Sequence, residues 1–361
     1  MDRKSPLKIA LITLGCKTNQ SDAASLAAEL LMQGHRIVPS SQTADVIIIH
    51  TCTVTQKTDY QSRQIIRRMA AKNPRGQVVV TGCYAQVSPE SLQAIPGVDY
   101  VVGMAERKRI PGIIIAKEKS RKAAVLISPV EKQKSFEEWM LPHFHDRTRA
   151  FLKVQDGCNS YCSYCIVPYA RGRNRSLPLE RVLFQARGLA AQGFKEIVLT
   201  GIHLGTYGED LLPPPSLLIL LKELERQNLS LRLRLSSIEP REFNPPLMEY
   251  LASSRRVCPH LHIPLQSGDD RILRRMNRNY SSAFFADLVN RLAQTIPGAA
   301  IGADVIGGFP GEDDSAFLNT MTLIENLPLA YLHVFPFSKR KGTPASAFPG
   351  QVPPQVILAR C

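Results

Sequence analysis

One stretch of the chain reads Asp156-Gly157-Cys158-Asn159-Ser160-Tyr161-Cys162-Ser163-Tyr164-Cys165, and it contains three cysteines in the pattern Cys-x3-Cys-x2-Cys. Thiolates this close together can bind three irons of one iron–sulfur cube and leave the fourth iron without a protein ligand. A structural zinc ion usually needs a closed set of four Cys or His ligands, and no fourth one follows closely after Cys165. The pattern therefore favours an open iron–sulfur cluster over a zinc site.

The composition suits a two-domain protein with a polyanionic partner. The chain has 361 residues, 44% of them hydrophobic, and a formal net charge of +14 that is spread along its length. This charge indicates a broad nucleic-acid face. Eight cysteines are too few for a disulfide framework, so their grouping indicates metal binding and a reducing, cytoplasmic location. No apolar run approaches the roughly 20 residues of a transmembrane helix, and we expect no membrane partner.

The first 120 or so residues alternate strand and helix patterns. Short β-rich runs are predicted as buried parallel strands at residues 7–13, 45–50, 77–81 and near 98–102. Helical spacing covers residues 22–33 and 59–72, and a further helix is expected to extend to about residue 118. This order predicts a doubly wound α/β domain.

Three further cysteines come directly after predicted strands. Cys16 follows the first strand, Cys52 the second and Cys83 the third. The carboxyl ends of parallel strands meet at one edge of a sheet, where ligands collect, so we expect these cysteines to converge. Gly15 and Gly82 beside them allow tight turns. The sequence therefore predicts a second metal cluster, although a single strand-end cysteine is usually only a small buried residue.

A second alternation of strands and helices begins near residue 150. Strands are predicted near residues 150–155, 196–200, 231–235, 260–264, 300–306 and 331–335. Six βα units indicate a partial (β/α)6 barrel with the first triplet at the carboxyl end of its first strand. The predicted organisation is an N-terminal domain at 6–125, a linker at 126–146, a barrel at 147–348 and the start of a C-terminal segment at 349–361.

These cysteines, in this order and with the sequences around them, resemble the radical S-adenosylmethionine (SAM) methylthiotransferases. The resemblance extends from residue 9 to about residue 349. It rests on long motifs, among them Gly15-Cys16-Lys17-Thr18-Asn19-Gln20, Thr81-Gly82-Cys83-Tyr84-Ala85-Gln86, Cys165-Ile166-Val167-Pro168-Tyr169-Ala170-Arg171-Gly172, His260-Leu261-His262-Ile263-Pro264-Leu265-Gln266-Ser267-Gly268 and Ser338-Lys339-Arg340-Lys341-Gly342-Thr343. Within the family, the variants look like the MtaB branch, which acts on N6-threonylcarbamoyladenosine in tRNA.

The resemblance implies insertion of a methylthio group at carbon 2 of the purine at tRNA position 37, next to the anticodon. It assigns a radical SAM 4Fe-4S cluster to Cys158, Cys162 and Cys165, and an auxiliary 4Fe-4S cluster to Cys16, Cys52 and Cys83. SAM is then a cofactor, and the expected partners are the tRNA anticodon loop, a reducing electron donor and a sulfur source. Beyond the cluster ligands, no catalytic side chain is predicted.

The resemblance also assigns lesser roles to residues at strand ends. SAM contacts are expected at Gly201, Gly205, Ser237, Glu239 and Gln266, although glycines after a strand and polar residues at strand ends also occur as turns and caps. His203 and His262 are expected to be packed or hydrogen-bonded rather than metal ligands, and Cys258 is expected in the core. Contacts with the RNA backbone are expected from basic residues that could equally be solvated surface charges, namely Arg171, Arg173, Lys339, Arg340 and Lys341.

Other readings stay open at this point. Sister branches of the family perform the same chemistry on isopentenyl-adenosine in tRNA or on an aspartate of a ribosomal protein. Family members usually continue into a small TRAM domain that helps bind tRNA, whereas this chain ends at Cys361 inside a predicted helix. A catalytically inert, truncated iron–sulfur protein is therefore a further alternative.

Overall fold

A six-stranded parallel sheet forms the first part of the computed structural model, which describes residues 5–116, 122–142 and 148–361. Its strands are β1 (Lys8–Thr13), β2 (Arg36–Val38), β3 (Val46–Thr51), β4 (Gln77–Gly82), β5 (Tyr100–Val102) and β6 (Ala124–Leu126), in the order β2-β1-β3-β4-β5-β6. The helices between them are α1 (Lys17–Met32), α2 (Gln56–Lys72), α3 (Cys83–Val87), α4 (Pro89–Gln93) and α5 (Ile110–Ala116). The predicted doubly wound domain is confirmed, and the expected end of its last helix near residue 118 lies outside the described residues.

Alternate residues of the central strands pack on opposite faces of this sheet. Ile47 and Ile49 of β3 contact the core that α2 covers, whereas Ile48 belongs to the core formed with α1 and α5. A strand buried on both faces must be apolar throughout, which is why β3 and β4 are continuous hydrophobic runs. Both central strands end at the same edge, so the cysteines that follow them are brought together.

Six parallel strands form the second part of the molecule. They are β7 (Ala150–Lys153), β10 (Glu196–Thr200), β11 (Arg232–Leu235), β12 (His260–His262), β13 (Ala300–Gly307) and β14 (Tyr331–Pro336). Two three-stranded sheets, β11-β10-β7 and β12-β13-β14, are joined by a parallel bridge between Leu233 and Val257. A short antiparallel pair, β8 (Gln155–Asp156) and β9 (Arg175–Ser176), lies beside the first cysteine triplet. The strand count and direction agree with the predicted partial barrel.

Helices cover the outside of the barrel. They are α6 (Val167–Arg171), α7 (Leu179–Ala191), α8 (Leu217–Arg226), α9 (Pro245–Ser253), α10 (Asp270–Arg275), α11 (Ser282–Thr295), α12 (Asp314–Glu325) and α13 (Pro354–Arg360). The apolar faces of α7, α8, α9 and α11 form one continuous core with the side chains of the strands, whereas α6 packs against α3 of the N-terminal domain. In the described part of the chain, no helix is long and apolar enough to cross a bilayer.

The two parts of the molecule are joined by buried contacts. Helix α1 packs on β7, where the hydroxyl of Ser21 donates to the carbonyl of Phe151 over 3.2 Å. Trp139, inside the region predicted as a linker, is only 8% exposed and has Lys108 4.4 Å above its ring. Phe136 and Leu141 of the same region pack on the barrel core, so its described part contacts both domains, while residues 143–147 lie outside the description.

Candidate metal centres

The first cysteine triplet lies on a loop that the surrounding backbone holds in a fixed shape. Gly157 has a φ of +75° and is so close to the carbonyl of Arg173 that a side chain would not fit. Tyr161 also adopts a left-handed conformation, with a φ of 45°, and Asn277 donates to its carbonyl over 3.2 Å. The backbone amide of Ser163 donates to the carbonyl of Met276 over 3.0 Å. The loop is thus held by the backbone just before β9 on one side and by the residues just after α10 on the other.

Cationic groups surround the thiols of this triplet. Nη1 of Arg278 lies 3.4 Å from Sγ of Cys162, and Nδ1 of His203 lies 3.5 Å from Sγ of Cys158. Burial opposes ionisation of Cys158, but hydrogen bonds from His203 and Ser160 lower the pKa of its thiol. Since a thiolate is the form that binds metal, this setting favours a ligand role for Cys158.

Burial dominates at the third cysteine of the loop. It raises the pKa of the Cys165 thiol to about 12, and the neighbouring Cys162 adds to the shift.

The imidazole of His203 lies beside the same triplet. Burial disfavours charge on His203, yet its hydrogen bonds to Cys158 and Glu242 raise the pKa of the imidazole to about 10. His203 is therefore hydrogen-bonded beside the triplet, between Cys158 and Glu242.

The second triplet converges at the carboxyl edge of the N-terminal sheet. Cys16 caps α1, Cys52 follows β3 and Cys83 begins α3. Burial raises the pKa of the Cys52 thiol to about 12, and repulsion from Cys83 and Cys16 adds to it. A Cβ on Gly15 would lie 2.7 Å from the sulfur of Cys52, so the glycine is required for the close approach of these two turns. The predicted convergence of the three cysteines is found.

Both triplets fit an iron–sulfur cluster better than a single zinc ion. A tetrahedral zinc site with Zn–S bonds near 2.3 Å places its sulfurs about 3.8 Å apart. Among the residues that the structure describes, the only three metal-ligating atoms within 4.8 Å of one another belong to His262, Asp304 and His333, so neither cysteine triplet is that compact. Soft thiolate donors at wider spacing suit a larger cluster, whose positive iron would offset the repulsion between them.

A buried ion-pair network lies between the two triplets and corrects one prediction. Arg171, expected to meet RNA, is only 1% exposed and pairs with Asp22 of α1 over 3.0 Å and with Asp156 over 2.8 Å. Its Nε also lies 3.3 Å from the sulfur of Cys83. Burial alone would raise the pKa of Asp22, but Arg107, Lys153 and Arg171 hold it well below its usual range. Arg171 is therefore a structural cation between the triplets and does not reach RNA.

Arg340 is a second basic residue whose predicted contact with RNA is wrong. It is 6% exposed, and its Nη2 lies 2.6 Å from both Asp59 and Thr53, which belong to the N-terminal domain. The carboxylate that pairs with Arg340 lies in the other domain, far away in sequence. The local run of basic residues therefore gives no indication of this ion pair. Its neighbours Lys339 and Lys341 are exposed, as is Arg173. These three stay candidates for RNA contact.

Two of the predicted SAM contacts are glycines in the loop after β10. A Cβ on Gly201 would lie 2.7 Å from Oε1 of Gln155, and one on Gly205 would overlap the carboxylate of Glu242. A side chain at either position would displace Gln155 or Glu242, so the packing of the loop favours glycine at both. Their contact with SAM stays a prediction.

The other predicted SAM contacts lie at the carboxyl ends of the next strands. Glu239 pairs with Arg278, whose Nη1 lies 3.1 Å from Oε1, and both line a cavity of about 230 Å³ with Cys162. Gln266 has a φ of 67°, and its backbone N–H donates to the backbone carbonyl of Asp304 over 2.8 Å. Ser237 is half-buried beyond β11. The structure thus links Glu239 to the first triplet through Arg278, a residue that the sequence analysis did not select.

A cleft between the two domains is lined by residues adjoining both triplets. Its volume is about 210 Å³, and its walls include Val54 and Thr55 after Cys52, Tyr164 of the first triplet loop, and Gln266, Asp304 and Phe335 of the barrel. We call this cavity the interdomain cleft. A planar aromatic ligand in it would contact segments of both metal-binding loops at once.

Comparisons with known proteins agree with this geometry. The family model described as Uncharacterized protein family UPF0004 matches residues 8–103, and the Radical SAM superfamily model matches residues 152–324. A threonylcarbamoyladenosine tRNA methylthiotransferase MtaB of Bacillus subtilis (strain 168) is 46% identical over 95% of this chain and 76% of its own length. A tRNA-2-methylthio-N(6)-dimethylallyladenosine synthase of Clostridium botulinum (strain Hall) is 33% identical over 95% of this chain and 77% of its own length.

A solved structure supports the fold. The radical S-adenosylmethionine methyltransferase TsrM of Kitasatospora setae, solved with cobalamin and a 4Fe-4S cluster bound, superimposes with a TM-score of 0.69. It covers 94% of this chain and 77% of its own length at 16% sequence identity, so the likeness concerns architecture alone. With the convergent triplets and the 46% identical relative, these findings show that the chain belongs to the radical SAM methylthiotransferase family, in its MtaB branch.

Proposed function

We propose that this enzyme inserts a methylthio group at carbon 2 of N6-threonylcarbamoyladenosine at tRNA position 37. The observation that carries the proposal is the interdomain cleft, because loops from both cysteine triplets line it. One purine in this cleft can present a single carbon to both metal sites. The name of the 46% identical relative supports this nucleoside as the substrate.

Each cysteine triplet would hold one of the two clusters. Cys158, Cys162 and Cys165 would hold the radical SAM cluster, and Cys16, Cys52 and Cys83 the auxiliary one. When bound, the two clusters and SAM supply hydrogen abstraction and transfer of the methylated sulfur. The chain holds the two triplets in a fixed relation through Arg171, whose ion pairs join the start of the first triplet loop to α1 and whose Nε reaches Cys83.

The chain's own side chains would also shape the surroundings of SAM. Gly201, Gly205, Ser237, Glu239 and Gln266 remain our candidates for SAM contacts, and Arg278 joins them because it lies between Glu239 and Cys162. The reaction further requires a reductant and a sulfur source as partners, and we infer a cytoplasmic location. We keep 6–125, 126–146, 147–348 and 349–361 as the proposed division of the chain.

Nucleoside mass spectrometry tests this proposal. The chain is expressed in cells that lack their own methylthiotransferases, and their tRNA is digested and analysed. We expect a new 2-methylthio-N6-threonylcarbamoyladenosine peak that disappears in Cys162→Ala and persists in Cys361→Ala, a cysteine outside both triplets. A 2-methylthio-isopentenyladenosine peak in its place would assign the sister substrate. No methylthio nucleoside, with both clusters loaded, would contradict the proposed function.

A further inference from the structure

One face of strands β12–β14 is lined by polar rings instead of aliphatic side chains. In the parallel register, Gly302 lies opposite Tyr331, Asp304 opposite His333, and Ile306 opposite Phe335. Side chains two residues apart share a face of a strand. Since Asp304, Ile306 and Phe335 line the interdomain cleft, Tyr331 and His333 extend the same wall deeper into the barrel.

Two histidines flank one carboxylate on this wall. Nε2 of His262 lies 2.8 Å from Oδ1 of Asp304, and Nδ1 of His333 lies 3.3 Å from the same oxygen. The centroids of the two imidazole rings are 5.0 Å apart. We call His262, Asp304 and His333 the histidine–aspartate trio. The local sequence gave no sign of it, because its three members lie on different strands.

Tyr331 fixes the position of the trio on the side away from the cleft. The hydroxyl of Tyr331 lies 3.1 Å from Nδ1 of His262 and 2.9 Å from Nε2 of His260, so its ring is fixed between two imidazoles. A Cβ on Gly302 would overlap that ring, which explains the glycine in the middle of β13. Support of this kind fixes the orientation of groups that bind a ligand.

The trio nevertheless keeps hydrogen-bonding capacity toward the cleft. The side chain of His333 is 57% exposed, and in the described part of the chain its Nε2 makes no hydrogen bond. Asp304 is 23% exposed and lines the cleft itself. Nε2 of His333 can therefore donate to an anion, and Asp304, which lines the cleft, can accept from a hydroxyl.

This pattern matches the arm of the proposed substrate. A threonylcarbamoyl group carries a carboxylate and a hydroxyl, whereas an isopentenyl group carries neither. Nitrogen 6, which bears the arm, and carbon 2 flank N1 of the six-membered ring, so the arm is attached to a different ring atom from the one that reacts and can bind a separate part of the wall. With the purine against Phe335, the trio lies one strand layer deeper, about 7 Å away, which an extended arm of this kind can span.

Resting on the proposed function, we propose that the histidine–aspartate trio selects the threonylcarbamoyl nucleoside. Nε2 of His333 donates to the carboxylate of the arm, and Asp304 accepts from its hydroxyl. An apolar arm would leave these groups desolvated and unpaired, and a site built to hydrogen-bond a substrate rejects analogues that lack the polar group. The trio is thus a specificity determinant in a cleft whose upper part holds only the purine.

Steady-state kinetics on anticodon stem-loop RNAs test the inference. Three RNAs carry threonylcarbamoyladenosine, isopentenyladenosine or plain adenosine at position 37. We expect His333→Phe to lower kcat/KM for the threonylcarbamoyl RNA at least tenfold. The ratio of kcat/KM for this RNA to kcat/KM for the plain adenosine RNA should fall by the same factor. His333→Gln, which keeps a donor, should recover part of the loss. Val334→Ala, an exposed neighbour on the other face of β14, should stay within twofold of wild type.

The outcomes separate this inference from the proposed function. A wild-type enzyme that fails to modify the threonylcarbamoyl RNA overturns the proposed function and the inference with it. An active wild type whose preference survives in His333→Phe, with iron content and RNA affinity for plain adenosine unchanged, overturns the inference alone. Elemental analysis gives the remaining result: stoichiometric zinc or manganese in wild type that is lost in His333→Phe would make the trio a metal site and overturn the assignment to the arm.

Discussion

At the scale of single residues, Arg171 shows how one buried charge positions two metal sites. It pairs with Asp22 and Asp156, and its Nε reaches Cys83. A buried charge is stable only while its partners are present, and removal of one partner leaves the others uncompensated. Because Arg171 touches both domains, its loss affects stability and the second triplet together.

Replacement of Arg171 by Gln should therefore destabilise the protein strongly. We expect the free energy of unfolding, measured by urea denaturation of the cluster-loaded protein, to fall by about 3 kcal/mol, at the lower end for a broken buried pair because Arg107 and Lys153 still neutralise Asp22. The exposed neighbour Arg173→Gln is the control and should change stability by less than about 0.5 kcal/mol. Equal effects of the two substitutions would contradict the buried role of Arg171.

At the scale of elements, the turns after the strands decide whether the second triplet forms. Gly15 connects β1 to α1 with a φ of +95°, and a Cβ there would lie 2.5 Å from Cβ of Cys52. Gly34, just after α1, has a similar φ of +87° but open space around it. An alanine costs about 1–2 kcal/mol of backbone strain at either position, whereas only at Gly15 does it also displace the side chain of Cys52.

Gly15→Ala should thus lose the auxiliary cluster while keeping the radical SAM cluster. Iron analysis after anaerobic reconstitution should show a decrease from about eight to about four irons per chain, since each cubane holds four. Gly34→Ala should keep the full iron content. A full complement of iron in Gly15→Ala would mean that Cys52 does not depend on this close approach.

The elements that the sequence could predict are those with a strong local signal. Buried apolar runs ending in Cys52 and Cys83 gave both the strands and the place where the cysteines meet. By contrast, β2 and β6 lie at the edges of the sheet and none of their three residues is buried, so they lack a buried apolar run and were not predicted. The buried roles of Arg171 and Arg340 depend on carboxylates far away in sequence, so a local run of basic residues suggested RNA contact instead.

At the scale of the whole molecule, the two triplets belong to different domains, so substitutions in each should affect different steps of the reaction. Cys162→Ala should abolish reductive cleavage of SAM to 5′-deoxyadenosine, because it removes a ligand of the cluster that would bind SAM. Cys52→Ala should keep that cleavage and stop methylthio insertion. Chromatographic quantification of both products under anaerobic conditions distinguishes the two. Loss of SAM cleavage in both variants would indicate that the sites depend on each other for folding.

The net charge of +14 gives the last prediction, on tRNA binding. Arg173, Lys339 and Lys341 are exposed, and Lys339 adjoins Ser338 on the wall of the interdomain cleft. Each phosphate contact with single-stranded nucleic acid contributes about 0.7 to the slope of log K against log salt. The triple Gln variant should therefore lower that slope by about two in fluorescence anisotropy titrations of an anticodon stem-loop.

A charge-matched control separates local contacts from the overall field of the protein. Lys222 and Arg226 on α8 and Arg255 in the loop after α9 are exposed, and none of them lines the cleft. Their triple Gln variant removes the same charge and should leave the slope nearly unchanged, because exposed charges beyond a Debye length of about 10 Å from the RNA are screened. Equal decreases in both variants would mean that tRNA is attracted by net charge alone, and the anticodon loop would then have to be oriented by contacts inside the cleft.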